Sequence, residues 1–107
     1  MSYEAATANA IAALADPTRR AIIDRLRTGP CPVTTIAADL PVSRPAVSQH
    51  LRVMTDAGLL KVEAQGTRRL YRISPEGVDA LRAYLDTLWS DALQAFEEAG
   101  TDAGRKG

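Results

Sequence analysis

The chain has 107 residues, 46% hydrophobic and 24% charged, which allows one domain with a modest core and excludes a wholly disordered protein. Thirteen Lys and Arg balance thirteen Asp and Glu, and that zero net charge taken alone argues against a nucleic-acid partner. The single cysteine, Cys31, excludes an internal disulfide and fits a reducing cytosol, no apolar run approaches the ~18 residues of a membrane span, and no secretory signal pattern is visible.

Residues 1–14 predict an Ala-rich helix with Ile11 and Leu14 on one face. Asp16-Pro17 starts a second helix, because Asp accepts from a free backbone N–H and Pro suits the first helical position. It runs to about Thr28, with Ile22, Ile23 and Leu26 inward, and Gly29-Pro30 ends it. Cys31-Pro32 opens a short third helix through about Leu40, with Val33, Ile36, Ala37 and Leu40 inward. After Pro41-Val42, Ser43 caps a fourth helix that tolerates Pro45 in its first turn and ends at Ala57-Gly58. Two helices joined by so short a turn form a helix-turn-helix. Lys61–Glu63 and Arg68–Ile73 predict a hairpin around Gln65-Gly66-Thr67. Ser74-Pro75 begins a last helix to about Ala99. The expected fold is mainly α with a small β-hairpin: a winged helix-turn-helix of about five helices and a two-stranded wing. Residues 1–99 form one domain, and 100–107 read as a flexible polar tail.

The fourth helix has two chemically different faces. Val47, Leu51 and Met54 form an apolar stripe at i, i+4 and i+7. Pro45, Gln49 and Arg52 lie opposite, with Ser48 at the edge. Amide, hydroxyl and guanidinium groups are the chemistry that reads base edges and phosphates in double-stranded DNA, whereas an ordinary solvated face is richer in Glu and Lys. Gln49 suits adenine and Arg52 guanine, while Ser43, Arg44 and Ser48 suit phosphates. Charge is also unevenly placed. From Ser43 to Arg72, Arg44, Arg52, Lys61, Arg68, Arg69 and Arg72 face Asp56 and Glu63, a net of +4. From Glu76 to Glu98 six acids face Arg82 alone, a net of −5. A basic middle can meet phosphate while an acidic last helix points away. Arg68 and Arg69, near the hairpin tip, suit phosphate or a narrow minor groove, or else guard the hairpin edge.

In the last helix Val78, Leu81, Leu85, Leu88, Ala92 and Phe96 follow helical spacing, with Tyr84 and Trp89 beside them. That stripe is longer than this domain's own core requires, so part of it is read as an interface with a second copy, together with Ile11 and Leu14. Tyr84, Trp89 and Phe96 serve packing and dimer contacts, or line an apolar ligand pocket between subunits. His50, on the flank of the buried stripe, is read as half-buried and hydrogen-bonded, with a phosphate contact as the alternative. Arg19 and Arg20 suit helix-surface pairs.

The segments Leu14-Ala15-Asp16-Pro17-Thr18-Arg19-Arg20, Ser43-Arg44-Pro45-Ala46-Val47-Ser48-Gln49-His50-Leu51, Ala57-Gly58-Leu59-Leu60 and Gly66-Thr67-Arg68-Arg69-Leu70-Tyr71-Arg72-Ile73 occur in this order. Together they resemble the ArsR/SmtB family of winged-helix repressors, closely from about Ile11 to Ile73 and loosely over the last helix. The resemblance implies a homodimer joined through the first and last helices. It also implies a reader helix in the major groove of each half-site, a wing on the flanking backbone, and repression by promoter occupancy. Metal-sensing relatives carry a closely spaced cysteine pair where this chain has Pro32 and Thr34. One Cys and one His cannot assemble a closed N/S site, so neither a metal nor another cofactor is expected.

Two other classes compete. A winged-helix protein–protein module would share the fold but not need the basic middle. An enzyme would need a nucleophile–base pair, a phosphate-cradling glycine loop or a paired-carboxylate site, and the sequence offers none of these. The expected protein is therefore a cytoplasmic, metal-independent, homodimeric repressor on a palindromic operator. It has no membrane partner, and a small molecule or a protein is its candidate effector.

Overall fold

Caps spelled out in the sequence set the helix boundaries. The computed structural model describes residues 3–106, with side chains from 7 to 100. The elements are α1 (Tyr3–Leu14), α2 (Pro17–Leu26), β1 (Cys31–Pro32), α3 (Val33–Ala38), α4 (Arg44–Asp56), β2 (Leu60–Gln65), β3 (Arg68–Ile73) and α5 (Pro75–Lys106). The Asp16 carboxylate accepts from the Thr18 and Arg19 amides at 2.8 and 3.1 Å. These amides, Arg19's first, hold the carboxyl below its ordinary range. Ser43 Oγ accepts from the Ala46 amide at 3.2 Å. α4 ends in a Schellman motif: Leu59 N–H reaches the Met54 carbonyl, Gly58 N–H reaches that of Thr55, and Gly58 takes φ +83°.

The core gathers where these helices meet the base of the hairpin. Ile22 and Leu26 of α2, Ile36 of α3, and Val47, Leu51 and Met54 of α4 are buried against Leu59 and Leu60. Ala10 and Ala13 of α1 complete it. Among the described residues no helix is long and apolar enough to cross a membrane.

Three expectations change. First, Cys31-Pro32 does not open α3. It forms a third strand, giving an antiparallel sheet of order β1-β3-β2, with Cys31 opposite Tyr71 and Pro32 opposite Leu70. A residue before proline is pushed toward extended backbone, and Pro32, lacking an N–H, is tolerated on a sheet edge. Two residues are too few to show a strand period. Second, β2 spans Leu60–Gln65, so only Gly66 and Thr67 form the hairpin loop. Gly66 at φ +63° suits the two-residue turn that takes Gly first. Third, α5 continues as helical backbone past Ala99 to Lys106, and Gly107, the last residue of the segment read as a tail, lies outside the described residues.

α5 is anchored through its N-terminal part, where Leu81 packs against the core and α1 lies alongside. Ser74 N–H donates to the Leu59 carbonyl at 2.8 Å, and Ser74 Oγ accepts from Gly77 N–H at 3.2 Å. Gly77 lies so close to the end of α4 that a Cβ there would fall on the Gly58 carbonyl oxygen. The Lys61 ammonium sits 2.8 Å from the Glu76 carboxylate, joining the hairpin base to this first turn. The Lys61 hydrogen bond, helped by backbone and Ser74 donors, holds the Glu76 carboxyl at about 2 against an ordinary 4.5. The pair's stabilisation is thus complete above about pH 4.5 and lost as pH falls toward 2. Acid denaturation should show it: Glu76→Gln should lower stability near neutrality and flatten the acid limb between those values, and parallel curves would refute the linkage.

Val78, Leu81 and Tyr84 are still partly buried, and from Leu85 onward α5 leaves the body. Its 32 residues span about 48 Å at the α-helical rise. The longest molecular extent is 67 Å and the radius of gyration is 18.6 Å, against about 13 Å for a compact 100-residue domain.

Candidate nucleic-acid interface

The α4 side chains divide as the spacing predicts. Val47, Leu51 and Met54 are 0% exposed, while Arg44, Pro45, Ser48, Gln49 and Arg52 are all exposed. The buried stripe pins the helix rotation, so Gln49 and Arg52 must project away from the core. Ser43 is exposed at the N-cap, where α4's partial positive charge adds to that of Arg44.

The hairpin carries the second basic group. Cross-strand register places Leu60, Val62 and Ala64 on one face with Arg69, Tyr71 and Ile73. Tyr71 and Ile73 pack against the core, so this is the inner face. Lys61, Glu63 and Gln65 share the outer face with Arg68, Leu70 and Arg72. Arg68 and Arg69 therefore leave opposite sides of the ribbon, although both are exposed beside the turn.

Ion pairing separates the six bases of this region. Lys61 pairs with Glu76 and Arg72 with Glu63. Among the described residues Arg44, Arg52, Arg68 and Arg69 form no ion pair. Elsewhere Arg25 pairs with Asp39, and Arg27 with Asp24. Arg19, Arg20 and Arg82 form no ion pair among the described residues either, but within this region the unneutralised cations lie on the reader helix and the wing tip, where a polyanion would supply their counter-charge.

His50 is half-buried and accepts at Nδ1 from Arg19 Nε at 3.1 Å. Arg20 donates to the Leu14 and Ala15 carbonyls, each at 3.1 Å. Cys31 is a partly buried free thiol that donates to the Gly29 carbonyl at 3.7 Å. No group of three or more His, Cys, Asp or Glu among the described residues is placed to hold a metal ion.

The second surface lies on α5. Leu85, Leu88, Trp89 and Phe96 are 46, 52, 67 and 75% exposed, and Ile11 of α1 is 40% exposed. Ala92 is exposed as well, whereas Leu14 packs partly against the protomer's own core. Leu93, four residues after Trp89, joins the stripe at 44% exposure, a member that the sequence reading omits. Its i+4 spacing from Trp89 is the signal that finds it.

A helix-turn-helix domain family matches residues 14–63. The chain is 54% identical over 86 residues to the HTH-type transcriptional regulator Rv2034 of Mycobacterium tuberculosis, spanning 80% of each chain. Among solved structures it resembles an ArsR family transcriptional regulator, RHA00566, at TM-score 0.71 and 33% identity, covering 83% of this chain and 95% of that one. It also resembles the homodimeric winged helix-turn-helix DNA-binding domain of Mb0332, a possible ArsR-family regulator from Mycobacterium bovis. There the TM-score is 0.65 at 30% identity, over 80% of each chain. With the helix-turn-helix, the wing and the sequence identity in agreement, the chain belongs to the ArsR family of winged helix-turn-helix transcriptional regulators.

Proposed function

We propose that the protein is a cytoplasmic homodimeric repressor that occupies a palindromic operator without a metal or other cofactor. Residues 1–99 serve as its functional unit. One observation carries the reading: Gln49 and Arg52 project from a helix whose opposite face is fully buried, and Arg52, like Arg44, Arg68 and Arg69, forms no ion pair among the described residues. In the major groove, Gln49 takes adenine and Arg52 takes guanine, while Ser43, Arg44, Ser48 and the wing arginines position the backbone. Pro45 shapes the first turn beside them. One module buries too little DNA for tight specific binding, so two copies joined through α1 and α5 engage half-sites about one helical turn apart, or a multiple of it. An effector, small molecule or protein, that changed the angle between the copies would break their simultaneous engagement.

Sites selected from a random DNA pool and then titrated against variants test this. Arg52→Ala should relax preference at one base position per half-site, removing about 1–3 kcal/mol of discrimination. Arg68→Ala should weaken all duplexes similarly. Two lost phosphate contacts per dimer should flatten the log–log salt slope by about 1.8. Wild-type behaviour in both variants would refute the assignment of reader helix and wing.

A further inference from the structure

We infer that His50 is a phosphate-binding residue of the reader helix, and that Arg19 of α2 sets its tautomer and orientation. The inference rests on the DNA-binding reading above. Arg19 Nε lies 3.1 Å from His50 Nδ1. Arginine Nε–H has no lone pair to offer, so it must donate and Nδ1 must be bare. The ring proton of the neutral imidazole therefore sits on Nε2, across the ring from Arg19.

That leaves one N–H aimed away from α2, and no group among the described residues accepts it. His50 follows Gln49, whose side chain projects outward, and precedes Leu51, which is fully buried. It thus occupies the flank of α4. When a helix lies in the major groove its outer face meets base edges, and its flanks face the phosphate walls. Half-buried and held on one side, the imidazole offers a donor with little freedom left to lose on binding.

Arg19 is itself held. Its backbone N–H is one of the two that Asp16 accepts in capping α2, so its side chain rises from a fixed first turn. Arg19 is therefore a positioning residue acting through His50. A neutral donor fixes register on the duplex without neutralising a charge, and should release no counterion. This separates His50 from Arg68, whose loss must change the salt slope.

Affinity on a selected operator and on a scrambled duplex, over a salt series, tests the inference alongside imidazole ¹⁵N shifts of the free protein. Wild type should show the Nε2–H tautomer. His50→Asn keeps a polar atom near Nδ1 but does not reach the Nε2 position. It should lose about tenfold affinity per half-site, and so about a hundredfold for the dimer, on both duplexes, the scale of a hydrogen bond to a charged acceptor in each copy, with the slope unchanged. His50→Gln restores a donor near Nε2 and should recover most of that loss. Arg19→Met should mix the tautomers and weaken binding a few-fold at constant slope.

An Nδ1–H tautomer, or His50→Asn binding like wild type, would overturn the inference. So would equal losses in the Asn and Gln variants that track lowered melting temperatures, since packing would then explain both. A flattened slope in Arg19→Met would make Arg19 itself the phosphate ligand and end its positioning role. Wild type that binds no duplex overturns the DNA reading itself, a result distinct from all of these.

Discussion

Gly77→Ala should lower the thermal midpoint by roughly 10–25 °C, while Gly100→Ala should leave it unchanged or raise it slightly. Both glycines lie within α5, where replacing Gly by Ala normally gains up to about 1 kcal/mol. At Gly100 nothing stands within 4 Å of an added Cβ, so that gain is available, reduced only by its position near the helix end. At Gly77 the added Cβ meets the Gly58 carbonyl oxygen and lies 2.8 Å from its carbon. Both are backbone atoms of the cap that ends α4. They cannot rotate aside as a side chain would, and moving them strains the Leu59–Met54 and Gly58–Thr55 hydrogen bonds. A loss of about 2–4 kcal/mol follows for overpacking against backbone, and each kcal/mol moves the midpoint about 4–8 °C in a domain near this size. Circular-dichroism melts at one fixed protein concentration would measure it. Equal midpoints for Gly77→Ala and wild type would show that α5 does not seat on the α4 cap.

The double variant Leu88→Asp/Trp89→Asp should sediment as a monomer and bind operator DNA at least a hundredfold more weakly, yet keep the wild-type helical signal. Leu85, Leu88, Trp89, Leu93 and Phe96 run along one helix, each more than two-fifths exposed. A lone protomer rarely leaves so large a contiguous apolar surface in water. The core around Ile22, Ile36 and Leu51 lies elsewhere, so two charges on α5 leave the protomer intact while desolvation forbids burying them in an apolar seam. Separating two half-site readers forfeits their effective concentration, about 10²–10⁴-fold in affinity. A stable dimer in sedimentation velocity would exclude this face as the interface. Dimer loss without a fall in affinity would exclude coupled half-site reading.

Much of the fold was legible because its signals are local. Asp16-Pro17, Ser43 and Ala57-Gly58 mark helix ends through groups that reach only two to four residues along the chain. The Val47-Leu51-Met54 stripe fixes which way Gln49 and Arg52 point. What escaped the sequence depends on distant partners. β1 exists because Tyr71 and Leu70 present a strand to Cys31 and Pro32, some forty residues away in the chain. The Arg19–His50 bond spans 31 residues, so His50 could be read as half-buried and hydrogen-bonded but its partner could not be named, and Arg19 read as a helix-surface group. The need for Gly77 comes from its approach to Gly58, nineteen residues away in the chain, and no local pattern shows it. Arg68 and Arg69 read as a pair in sequence, and only the register with Gln65 and Ala64 separates them to opposite faces.

The outer strands of the sheet have a consequence for solubility at high local concentration, as when copies crowd on neighbouring operators. A sheet with two open margins invites a neighbour's strand to zip onto it. Here one margin is two residues long and includes Pro32, which has no N–H to offer a newcomer. The other is β2, where Lys61 and Glu63 would force an incoming strand to match or desolvate opposite charges. Both selvedges are thus finished, and the protein should stack along DNA without fusing into fibrils.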